Sequence, residues 1–140
     1  MCVVVYVAAD APLPLISWDA QAPGFHVKAL DAKDDPVRAR FSKPHVYYVG
    51  SHEGCGCGFG YGQWDGEKPD DQRAAKASVA RLADYVAAAT RSAGALELYA
   101  CWDGDQAAEP AHRLEMTPGD IGGRAFWFNE RTFVVIESVT

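Results

Sequence analysis

Apolar residues along this chain fall into several short runs and one long stretch of helical periodicity. Val3-Val4-Val5-Tyr6-Val7 has no polar interruption, so residues 2–9 read as a strand buried on both faces. Phe25-His26-Val27-Lys28-Ala29-Leu30 alternates, which predicts a half-buried strand with Phe25, Val27 and Ala29 inward. His45 to Val49 and Leu96 to Cys101 read as further strands. So does Ala111 to Met116, with Leu114 and Met116 on one face. Residues 125–128 and 131–137 flank Asn129-Glu130 and predict a hairpin whose last strand is strongly apolar. Between the first two strands, Pro12 and Pro14 remove backbone donors, so Ala11 to Ile16 is an apolar loop.

The helical stretch covers about residues 70 to 91. Ala75, Val79, Leu82, Val86 and Ala89 recur at spacings of four and three, one face of a 3.6-residue period. Asp70 and Asp71 suit its first turn, and Gly94 suits a left-handed stop. Asp34-Asp35-Pro36 predicts a short helix with Asp35 as N-cap and with Val37 and Phe41 toward the core. Thr117-Pro118-Gly119-Asp120 has the form of a capping box. Together these elements predict one α+β domain spanning residues 1–140. Its sheet is mostly antiparallel or mixed, with six or seven short strands, one long amphipathic helix and one or two short ones. Strand order is not legible from the pattern.

Composition narrows the function classes. An apolar fraction of 49% supports a proper core. The net charge of -6 lacks the positive footprint that a nucleic-acid partner requires. No apolar run reaches the length of a membrane span, so no membrane partner is expected. Met1-Cys2-Val3 has neither a basic leader nor a cleavage site, so the expected location is cytoplasmic. Four cysteines, Cys2, Cys55, Cys57 and Cys101, are too few for a disulfide scaffold. Cys2 and Cys101 adjoin apolar strands and are expected to be shielded there.

The chemistry gathers at Ser51-His52-Glu53-Gly54-Cys55-Gly56-Cys57-Gly58-Phe59-Gly60-Tyr61-Gly62, where glycine takes every second place from Gly54. An extended run would place Cys55, Cys57, Phe59 and Tyr61 on one face; a coiled run would turn its amides into anion-binding nests. Imidazole and thiolates are zinc ligands, so His52, Cys55 and Cys57 form a candidate zinc set. Cys101, His45 or water would complete it. A second reading is a thiol-based enzyme or redox-responsive protein, with His52 or backbone amides lowering a thiol pKa and Glu53 or Asp10 orienting a histidine. A third is a non-catalytic module in which Phe59, Tyr61, Trp64, Trp102 and Trp127 line a groove for a small ligand or a second copy of the chain. The structural alternative is a tight loop that needs glycines and packs its cysteines beneath it. Asp103 and Asp105 beside Gly104 read as turn formers, with a cation pair as the alternative. The Gly-x-Gly-x-x-Gly spacing and the Walker lysine are both missing, which argues against a dinucleotide enzyme and leaves room for a small local anion site.

The stretch Ser51 to Phe59, together with Ala8 to Leu15 and Glu130 to Phe133, resembles small uncharacterised bacterial proteins. That resemblance implies no activity.

Overall fold

The all-apolar run Val3–Ala9 becomes β1, buried at every position and flanked by a strand on each side. The computed structural model describes residues 2–60, 68–122 and 130–137. Its six strands are β1, β2 (His26–Ala29), β3 (His45–Gly50), β4 (Leu96–Trp102), β5 (His112–Met116) and β6 (Thr132–Ile136). They form one sheet in the order β2-β3-β1-β4-β6-β5. All neighbours are antiparallel except β5 and β6, which are parallel. The architecture is therefore α+β with a mixed sheet. The first arm of the expected hairpin, residues 125–128, lies outside the described residues.

Alternation along β1 sends side chains into two cores. Val3, Val5 and Val7 meet the apolar stripe of α1 (Pro69–Ala93), including Val79, Leu82 and Val86. Each such fully buried side chain contributes about 1.5–3 kcal/mol. All five stripe positions predicted for the helix are buried. Lys68, Asp70 and Asp71 open α1, and Gly94 closes it at φ 77 with its amide bonded to the Thr90 carbonyl. At 25 residues α1 is about 38 Å long, enough to carry the chain from β3 over β1 to β4. The capping box forms at the start of α2 (Pro118–Ile121): Thr117 and Asp120 bond each other's amides.

Val4, Tyr6 and Ala8 face the opposite core with Val37, Tyr48, Tyr99, Cys101 and Phe133. A 3-10 helix, Ala32–Arg40, lies in this layer. It begins a turn earlier than the Asp35 cap predicted, with Pro36 inside it. The reason is Asp34, which is drawn into the core at 1% exposure to accept the Tyr6 hydroxyl at 2.6 Å. Gln106 joins them: its Nε2 donates to the Tyr6 oxygen at 3.2 Å and to Asp103 at 2.9 Å. Burial, reinforced by Asp34, pushes the Tyr6 phenol far above its ordinary range. Asp103 thus belongs to a turn network, with its other carboxylate oxygen 3.8 Å from Lys33.

Two edge-strand expectations differ. Ala29 is exposed, and His26 is buried instead. Trp18 covers the outer face of β2, edge-on to the His26 ring at 4.8 Å, and so shields a position that alternation had turned outward. Strand β5 closes the other edge with four exposed residues, and Leu114 is 43% exposed. Its His112, Arg113 and Glu115 blunt an edge that would otherwise template further pairing.

Candidate metal centre

Beyond Gly50 the chain leaves the sheet and coils. Ser51 is fully buried and organises the turn. Its hydroxyl donates to the Cys55 carbonyl at 2.6 Å and accepts the amides of Glu53 and Gly58 at 3.2 and 3.1 Å. The Ser51 amide reaches the same Cys55 carbonyl at 2.9 Å, and the Tyr48 hydroxyl donates to Gly54 at 2.7 Å. The amides of Ser51, Glu53, Gly54 and Gly58 are thus engaged within the loop itself. Gly56–Phe59 then makes one 3-10 turn, and Phe59 is anchored in the main core. Tyr61, Gly62 and Trp64 lie outside the described residues, as does Trp127.

Steric demands account for the recurring glycine. Gly54 has φ 85, a left-handed conformation that side chains rarely adopt. A Cβ on Gly56 would come within 2.7 Å of Val5 Cγ2 and 3.0 Å of the Val3 carbonyl. One on Gly58 would overlap the Ser51 hydroxyl. The run therefore lies flat against the start of β1 and tight on its own hub.

This close approach brings three thiols together. The Sγ atoms of Cys2, Cys55 and Cys57 all lie within 4.8 Å of one another. Cys2 is exposed, while Cys55 and Cys57 are half-buried. The Val3 amide donates to the Cys57 sulfur at 3.2 Å. Burial pushes the Cys55 thiol up to about 12; the adjacent Cys57 and Cys2 side chains add to the rise and the Cys57 backbone opposes it. Without a cation, Cys55 is a neutral thiol at pH 7.

Of the residues expected to act together, the structure joins Cys55 and Cys57 and leaves the others apart. The ring of His52 engages Ser78 instead: Nδ1 is 2.9 Å from the Ser78 hydroxyl, which also accepts the His52 amide at 3.2 Å. Cys101 sits across from Val4 on β4, so its side chain enters the core on the other side of the sheet from α1. It is fully buried there, and burial pushes its thiol up to about 12. His45 pairs with Ala9 at the opposite end of β3 from the loop. Asp10 binds Lys43 at 2.8 Å rather than a histidine.

Cys2 is the correction that matters. It was expected to be shielded beside its strand, and it is exposed and part of the cluster. The signal lies in strand pairing: Val5 opposite Val49 in an antiparallel register places the start of β1 beside whatever follows Gly50. That register is not written in the periodicity of either strand.

Beside the cluster is a cavity of about 230 Å³ whose lining includes His52, Glu53, Cys57, Gly58, Asp71 and Ala75. Cys57 belongs to both the cavity and the thiol group. No helix among the described residues is long and apolar enough to cross a membrane. No protein-family model, curated protein or solved structure matches this chain.

Proposed function

We propose that this protein binds a thiophilic metal ion, zinc first among them, through Cys2, Cys55 and Cys57. The observation that supports this reading is the convergence of three sulfurs from two distant parts of the chain within 4.8 Å. A zinc–sulfur bond of about 2.3 Å sets tetrahedral sulfurs about 3.8 Å apart, so closure by at most about 1 Å suffices. The Val3 amide on the Cys57 sulfur is the outer-shell hydrogen bond that orients and stabilises a thiolate ligand. A bound cation offsets the mutual repulsion of three thiolates, which the metal-free protein resists. The fourth position is left for water or for a small ligand entering the cavity that Cys57 shares with His52 and Asp71.

The thiol-enzyme reading has less support. A nucleophilic cysteine needs a depressed pKa, and the Cys55 thiol moves the other way. The His52 ring that would activate it is held by Ser78.

Elemental analysis of untagged protein tests the proposal. One equivalent of zinc per chain, lost in Cys57→Ser and retained in Cys101→Ser, is expected. Metal-free protein that gains no stability on zinc addition overturns it.

A further inference from the structure

The Cys2, Cys55 and Cys57 group has a stoichiometry that a divalent ion completes only with a fourth ligand from outside the group. It offers three ligand atoms, all sulfur, and among the described residues no fourth carboxylate, imidazole or thiol shares their 4.8 Å reach. Three thiolates around a divalent ion leave one negative charge and one empty position; around a monovalent ion they leave two charges. A trivalent centre with a lone pair takes three thiolates, closes its coordination and carries no charge. Two of the three sulfurs are half-buried, and the chain already carries a net charge of -6. An uncharged complex avoids the desolvation penalty of a residual charge at such a place. Access and rigidity are both present. Cys2 is exposed and meets solvent first, whereas Cys57 is fixed by the Val3 amide and Cys55 by the Ser51 hub.

We propose that the Cys2, Cys55 and Cys57 thiols capture a trivalent metalloid hydroxide, arsenous acid being the ligand class. The proposal rests on the same convergence of three sulfurs as the metal reading. One arsenous acid meets three thiols. Three arsenic–oxygen bonds break and three arsenic–sulfur bonds form. Each hydroxide leaves with one thiol proton as water, so three waters are released. Arsenic stays trivalent, sulfur stays fully reduced, and no co-reactant is needed. Two thiols would leave one hydroxide on arsenic; the third sulfur removes it.

The experiment is titration of the reduced, metal-free full-length protein with sodium arsenite, followed by intact-mass measurement under native conditions. The expected product carries one arsenic in place of three hydrogens. Cys2→Ser, Cys55→Ser and Cys57→Ser should each bind about a hundredfold more weakly or worse, because one tethered ligand is lost. Cys101→Ser should bind as the unaltered protein does. A product that keeps a hydroxyl on arsenic, or a Cys2→Ser variant of unchanged affinity, overturns the proposal. The hydrogen count in the unaltered protein decides the matter even where a variant fails to fold. Zinc content is measured separately. Zinc without arsenite uptake removes this inference and leaves the metal reading standing; arsenite uptake without zinc does the reverse.

Discussion

The Val3 amide and the Cys57 sulfur meet at 3.2 Å across 54 positions of sequence. This bond joins the first residue of the central strand to the middle of the glycine loop. It sets Cys2 next to Cys55 and Cys57, and it puts a donor against a sulfur that a metal would require as thiolate. The loop and the end of the sheet therefore act as one unit.

Metal and stability should be coupled. At a hundred times its dissociation constant, a ligand of the folded state adds about 2.7 kcal/mol. Adding zinc to metal-free protein should raise the thermal midpoint, and a strong chelator should reverse the gain. Calorimetry of Cys57→Ser should show no zinc-dependent change.

Thiol labelling should follow exposure. Cys2 should react first with an alkylating agent near pH 7 in reduced, metal-free protein, ahead of Cys55 and Cys101, whose thiols are held protonated by burial. Peptide mapping after short exposure gives the order. Labelling of Cys101 before Cys2 would contradict the placement of both.

Alkali should destabilise the fold through Cys101. Its thiol rises from an ordinary 9.0 to about 12 in the folded protein. A raised folded value means that the unfolded chain gives up this proton first. The contribution is therefore complete below pH 9.0 and is lost as pH climbs toward about 12. Denaturant melts across that window should steepen their decline in the unaltered protein and flatten in Cys101→Ala.

Gly56→Ala should cost about 1–3 kcal/mol, because the new methyl meets Val5 and the Val3 carbonyl of an immovable central strand. Gly119→Ala is the control. It is exposed, and its nearest neighbour beyond the adjacent residues, Thr117 Oγ1, lies at an ordinary 3.7 Å. Equal melts for the two variants would show that the loop does not lie against β1 as described.

Tyr6→Phe should cost about 1–3 kcal/mol by removing the hydroxyl that serves buried Asp34. The second Asp34 oxygen already has no partner among the described residues. Adding Asp34→Ala to Tyr6→Phe should then lose less than the two single losses summed. Strict additivity would mean the pair is not coupled.

Much of this architecture was legible in one dimension. The stripe from Ala75 to Ala89 and the Thr117 capping box depend on residues a few positions apart, and both stand as read. Burial of β1 on both faces was equally plain from its uninterrupted valines. What failed depended on distant partners. Asp34 moved inward because Tyr6 waited there, and His26 was buried where it stood because Trp18 covered it. The site divides in the same way. Cys55 and Cys57 announced themselves by glycine spacing, whereas Cys2 entered through an antiparallel register and Cys101 was carried to the other face by the same sheet. Local chemistry nominated the loop; long-range pairing chose its third sulfur.

The position of β1 has a consequence for biosynthesis. This strand is synthesised before either of its neighbours: β3 ends at Gly50 and β4 at Trp102. Val3 pairs with Trp102, so nearly a hundred residues are made before that edge of β1 is occupied. Closing so long a loop makes sheet completion a late and entropically slow event. Until then the most apolar segment of the chain stays unpaired on one side, and so it is the segment with most need of protection during synthesis.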